Sequence, residues 1–144
     1  PWFIVDSCPE EAKIIKQARL TNDAKPFYVI DKITEAADQF KKPVIACLGL
    51  AFKADIDDLR ESPALQIVEV LAKRNIGEII AVEPNINQAE MPKRLVEAKV
   101  ELSTLENALE KANIVVVLVD HKQFKAADAG QFAAKVVIDS RGVF

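Results

Sequence analysis

Between residues 44 and 63 the chain runs V-I-A-C-L-G-L-A-F-K-A-D-I-D-D-L-R-E-S-P, and the rest of the molecule can be built outward from this segment. Val44–Leu50 is an unbroken apolar run, the pattern of a strand buried on both faces of a parallel sheet. The text then turns polar: Lys53, Asp55, Asp57, Asp58 and Arg60 crowd into the positions just after it. Ser62-Pro63 supplies a helix N-cap followed by proline at the first helical position. A charged loop at the carboxyl end of a central strand suits a ligand. It equally suits a solvated crossover held by local salt bridges, and both readings stand at this point.

The residues after Pro63 repeat the alternation. Leu65, Val68, Leu71 and Ala72 mark the core face of a helix over about 62–74, ended by Asn75 and Gly77. Strands are expected at 78–82, 99–102, 114–119 and 136–138. Between them lie a short helix near 92–97, a helix opened by Ser103 or Thr104 with Leu105, Ala108, Leu109 and Ala112 inward, and a helical stretch over 122–134. Upstream, two helices are expected. One begins near Pro9, with Ala12, Ile15 and Ala18 in its stripe. After a break at Thr21-Asn22-Asp23, the other carries Val29, Ile33, Ala36, Ala37 and Phe40.

Strands joined by helices, with near-continuous apolar runs, predict an α/β fold with a doubly wound parallel five-stranded sheet. Right-handed crossovers make 3-2-1-4-5 the natural order. Three strand tails then converge on one crevice: residues 51–60, Asp120-His121-Lys122 and Asp139–Arg141. Such a meeting would let Lys53 and Arg141 share one anion.

The totals narrow the function classes. A chain of 144 residues, half of them apolar, supports one α/β domain with a real core. The formal charge of −3 and the lack of a basic run argue against a nucleic-acid surface. No apolar run is long enough to span a membrane, and no signal-peptide pattern opens the chain. Cys8 and Cys47 lie far apart and read as free, buried thiols of a cytoplasmic protein. A start on P-W-F-I-V-D suggests a piece of something longer.

A dinucleotide fold would show G-x-G-x-x-G after the first strand. Here Gly49-Leu50-Ala51-Phe52-Lys53 stands in its place, so no NAD site is expected in this segment. Lys53 offers a mobile cation for a diphosphate or a sugar oxygen, or is simply solvated. Phe52 could line a base or sugar pocket or pack on the following helix. Arg141, ahead of Gly142, could clamp a phosphate or form a terminal salt bridge. Asp57, Asp58 and Arg60 are expected to shape the loop through an internal charge cluster. The single His121, with no nucleophile beside it, points neither to a metal site nor to catalysis.

G-L-A-F-K-A-D-I-D-D-L-R-E-S-P-A at residues 49–64 resembles the signature of the UDP-glucose/GDP-mannose dehydrogenase family, nearest its UDP-N-acetyl-D-mannosamine branch. Pro1–Asp6 (P-W-F-I-V-D) and Val137–Gly142 (V-I-D-S-R-G) agree. The resemblance implies a Rossmann-like domain at 43–144 that binds the UDP of a UDP-sugar, preceded at 1–42 by the last helices of a helical dimerisation domain. It also implies a parent that oxidises the sugar C6 alcohol to a carboxylate in two hydride transfers to NAD, on UDP-N-acetylmannosamine or else UDP-N-acetylglucosamine or UDP-glucose. The family nucleophile belongs to a G-G-x-C segment lying ahead of P-W-F-I-V-D, and Cys8 does not match it. No catalytic residue, cofactor or metal site is therefore expected in this stretch, which alone should be inactive or serve only in assembly. Phe52, Lys53 and Arg141 correspond to positions that contact the UDP-sugar, Asp57, Asp58 and Arg60 to positions that shape the loop. Ile56 stands where family members often have Thr. The implied partners are a UDP-sugar and a second copy of the chain paired through residues 1–42, with no nucleic acid and no membrane.

Overall fold

The computed structural model describes residues 1–144. Five strands form one parallel sheet: β1 (Val44–Leu48), β2 (Glu78–Val82), β3 (Glu101–Leu102), β4 (Ile114–Val117) and β5 (Val136–Asp139). Their order is β3-β2-β1-β4-β5, the expected Rossmann-like arrangement. The helices are α1 (Trp2–Ser7), α2 (Lys13–Ala37), α3 (Pro63–Arg74), α4 (Lys93–Glu97), α5 (Leu105–Lys111) and α6 (Lys122–Lys125).

Side-chain alternation along the strands divides the interior into two cores. Ile45, Cys47, Ile79, Ala81, Ile114 and Val116 face α2, α3 and α4, where Ile30, Ile33, Val68, Leu71 and Leu95 pack on them. Ala46, Leu48, Ile80, Val82, Val115 and Val117 face α5, Phe124 and Phe132. Both faces of the central strands are thus dry, as their unbroken apolar text requires.

β3, expected from residue 99, begins at Glu101, and three other stretches also differ from the sequence expectation. The break at Thr21–Asp23 does not occur; α2 is one helix that passes through Pro26. Pro26, Ile30, Ile33 and Ala37 are buried at helical spacing, so one stripe docks along its whole second half. Around the expected break, the Thr21 hydroxyl donates back to the Gln17 carbonyl and Arg19 pairs with Asp23 one turn on. Packing and these local bonds outweigh the rung that proline removes. Two helices still precede the sheet, but the first is the short α1. Second, the stretch expected to be helical over 122–134 is α6 followed by a 3-10 turn at Ala129–Phe132, interrupted at Asp128, whose carboxylate caps that turn. Third, β1 and β4 end two residues early. There Gly49 takes φ +95° and the Leu118 and Val119 N–H groups both donate to the Leu48 carbonyl.

The strand register sets the functional end of the molecule. Leu48 pairs with Val82 and Val117, and Val117 with Asp139, so β1, β2, β4 and β5 terminate at one level. α3 starts behind that rim, with Ser62 Oγ accepting the Leu65 N–H and donating to the Ala51 carbonyl.

Candidate functional site

The loop after β1 is a closed excursion. The Phe52 N–H donates to the Asp58 carbonyl at 2.8 Å, and Asp55 and Glu61 take positive φ, uncommon for residues with side chains. Asp58 grips Arg60 from both oxygens, with Nη2 at 2.7 Å and Nε and the backbone N–H on the other oxygen. Those Arg60 bonds bring the Asp58 carboxyl down to about 2. Asp57 lies outside the pair, exposed. At the loop's closure Phe52 keeps 49% of its surface exposed, and the Lys53 ammonium stands 5.8 Å from its ring centre. Neither side chain belongs to a core.

What anchors this loop is buried beneath it. Glu83, directly after β2, is fully enclosed. Its Oε2 accepts the Leu50 and Ala51 N–H groups at 2.8 and 3.0 Å, and its Oε1 accepts from the backbone and amide of Asn85. Burial pushes the Glu83 carboxyl upward; the hydrogen bond from His121 and those from the backbone outweigh it and hold the group below its ordinary value. His121, after β4, is 1% exposed, with Nε2 3.1 Å from Glu83 and Nδ1 2.8 Å from the Asp55 N–H. The next residue returns the contact: the Lys122 N–H donates to the Asp55 carboxylate.

The third tail is tied to the second. Asp120 accepts from Arg141 Nε and Nη2 on one oxygen and from Lys125 on the other. Lys125, then Arg141, hold the Asp120 carboxyl well below the usual carboxylate range. Arg141 itself is set by Asp139, whose carboxylate accepts the N–H groups of residues 141–144 in one tight turn.

The tails of β1, β4 and β5 therefore meet, as the topology predicts, through Asp55–His121, Asp55–Lys122 and Asp120–Arg141. Arg141 also lines a cavity of ≈ 380 Å³ between the β5 tail, Pro63 of α3, and Lys25, Tyr28 and Lys32 of α2. Phe52 and Lys53 do not line it. The sequence expectation placed Asp55, Asp120 and His121 among the converging tails without giving them these contacts, and it passed over Glu83 and Asn85. A carboxylate immediately after a central strand's apolar run, as in Val82-Glu83, was the available signal. Cys8 is exposed at the end of α1 rather than buried, whereas Cys47 is fully enclosed, its thiol pushed up to about 12 by burial.

The turn after β1 does not fit a dinucleotide pyrophosphate. A close approach of backbone to phosphate needs open space, but a Cβ on Gly49 would fall 2.4 Å from Val119 Cβ, and α3 does not begin until Pro63. The glycine serves packing between two strand ends.

Residues 46–144 match the UDP binding domain of the UDP-glucose/GDP-mannose dehydrogenase family. The chain belongs to that family. An NDP-N-acetyl-D-galactosaminuronic acid dehydrogenase of Ralstonia nicotianae is 52% identical over all 144 residues, which cover 33% of that relative. The UDP-N-acetyl-D-mannosamine dehydrogenase of Escherichia coli is 44% identical, over the whole of this chain and 36% of its own length. Among solved structures, a UDP-N-acetyl-mannosamine dehydrogenase from Staphylococcus aureus superposes with a TM-score of 0.80 at 31% identity, over 99% of this chain and 32% of that one. The chain thus spans about a third of the length of the curated relatives it matches.

Proposed function

We propose that this chain holds the UDP moiety of a nucleotide sugar at the joined tails of β1, β4 and β5, as the nucleotide-binding third of an NAD-dependent UDP-N-acetylhexosamine 6-dehydrogenase. The observation that carries this reading is the fastening of the Phe52–Lys53 loop and of Arg141 to the same short segment, Asp120–Lys122. One aromatic face and two cations, supplied from two strand ends, suit a base or ribose and a diphosphate. Asp120 occupies Nε and Nη2 of Arg141 and leaves Nη1 outside the pair.

The parent reaction takes the sugar C6 alcohol to a carboxylate with transfer of two hydrides to NAD. In it this chain would bind and orient the nucleotide; no group of the crevice is placed as its nucleophile. Residues 43–144 form the nucleotide domain on this reading, and residues 1–42 belong to a helical dimerisation segment. Exposed Phe3, Ile4, Ile14 and Leu20 there support the second half of that division. UDP-N-acetyl-D-mannosamine is the substrate we favour. The 52% identity to a relative named for an N-acetylgalactosamine-type sugar supports a second choice within the same N-acetylhexosamine class.

Calorimetric titration with UDP-N-acetyl-D-mannosamine and with UDP tests the binding. Both should bind, and Lys53→Ala and Arg141→Ala should each weaken binding by about tenfold, the size of a charge-assisted hydrogen bond. No binding heat, or unchanged affinity in both variants, refutes the assignment. Sedimentation at rising concentration tests the pairing of residues 1–42, and a monomer throughout would remove it.

A further inference from the structure

Phe52 and Lys53 have little of their own to hold them, since the one backbone hydrogen bond across the loop is that closing it, from Phe52 to Asp58. Their placement depends on what grips the chain on either side. On the strand side, Leu50 and Ala51 donate to Glu83; on the far side, Asp55 donates to His121; and Glu83 and His121 touch each other. One buried acid–imidazole pair thus clamps both ends of the segment that carries the two proposed nucleotide contacts.

The protonation state of that pair follows from its neighbours. A backbone N–H can only donate, so His121 Nδ1, 2.8 Å from the Asp55 nitrogen, must present its lone pair. The Asn85 amide nitrogen lies 3.2 Å from the same Nδ1 and also donates. The ring proton is then on Nε2, aimed at the Glu83 carboxylate 3.1 Å away. A second proton, on Nδ1, would face two donors. The carboxylate on that side is that of Asp55, 3.9 Å off. To reach it, Asp55 must exchange its N–H for its side chain, and its positive-φ backbone must turn, carrying Lys53 with it.

The other charged groups around the ring do not offer an alternative. Lys122 is drawn to Asp55, Asp120 is engaged by Lys125 and Arg141, and α6 presents the Phe124 ring edge-on at 5.3 Å.

We propose that Glu83 and His121 act together as positioning residues for the Phe52–Lys53 loop, and that nucleotide binding weakens when His121 takes up its second proton. This rests on the UDP-binding reading above. UDP-N-acetylglucosamine is the probe, because its diphosphate diester carries no proton that titrates over about pH 5–8, the span in which imidazole changes charge. Wild-type affinity should fall by about fivefold or more between pH 8 and pH 5.5, the worth of one lost hydrogen bond. His121→Asn retains an oxygen acceptor near the Asp55 N–H but neither a titrating proton nor a donor to Glu83. It should bind about fivefold more weakly at pH 8 and show the same affinity at pH 5.5. Nitrogen chemical shifts of the imidazole should report the Nε2-protonated tautomer at pH 8, with thermal unfolding as the check that the variant is folded.

An Nδ1-protonated ring, or an equal pH dependence in wild type and His121→Asn, overturns the proposal. Should the wild type bind no probe at either pH, the UDP-binding reading falls, and amide exchange decides the clamp by itself. Faster exchange of the Asp55 amide at pH 5.5, relative to its intrinsic rate, in wild type but not in His121→Asn supports the clamp. The same change in both proteins overturns it.

Discussion

Replacing Glu83 with leucine tests whether one carboxylate organises the rim of the sheet. Leucine preserves most of the volume and removes every acceptor. The Leu50 and Ala51 N–H groups, on residues 0% and 1% exposed, would then be left without a partner, as would the His121 Nε2–H. The Asn85 donors are at the surface and can turn to water. Each stranded buried donor costs about 1–3 kcal/mol. Relief of the carboxylate's own desolvation offsets part of this, so the net loss should be about 3–5 kcal/mol. That is a large share of a total stability of about 5–15 kcal/mol. Urea unfolding followed by circular dichroism would show a midpoint lowered by about 2 M for a slope of about 2 kcal/mol/M. The gap should also close in acid. Because Glu83 is held below its ordinary value in the folded protein, its contribution is complete above about pH 4.3, the unfolded value, and is lost as pH falls through the lower folded one. A loss under about 1 kcal/mol at neutral pH, against the figure expected for stranded donors, would refute the reasoning.

Gly49→Ala should destabilise by about 2–5 kcal/mol in thermal or urea unfolding, because φ is +95° and the added Cβ meets Val119 Cβ at 2.4 Å. Val119→Ala in the same chain should recover little of that loss, because alanine keeps the Cβ and the backbone nitrogen that the added methyl meets. Ser62→Ala removes both the cap of α3 and the bond to the Ala51 carbonyl, and should cost about 1–2 kcal/mol by urea unfolding. Asp139→Asn should flatten the acid limb of the stability profile. Burial pushes the Asp139 carboxyl up, but the N–H groups of Phe144, Arg141, Gly142 and Val143 together bring it down. Its contribution is therefore present above about pH 3.9 and lost as pH falls through the folded value.

The strands and their order were legible because a strand buried on both faces must be apolar at every position, and Val44–Leu48 and Ile114–Val117 are. Right-handed crossovers then leave little freedom, and the meeting of three strand tails follows from the order alone. Ser62-Pro63 was equally plain, since a cap and its helix are neighbours in sequence. The continuity of α2 was not legible. Thr21-Asn22-Asp23 and Pro26 are local stop signals, and it takes the docking of Ile30, Ile33 and Ala37 on the sheet, with the Thr21 and Arg19 contacts, to override them. The pairing of Glu83 with His121 stayed hidden for a related reason. They are 38 positions apart, and each alone reads as an ordinary polar residue after a strand. A hydrogen bond between distant segments has no local composition to betray it, so the clamp under the loop exists only once β2, β1 and β4 lie side by side.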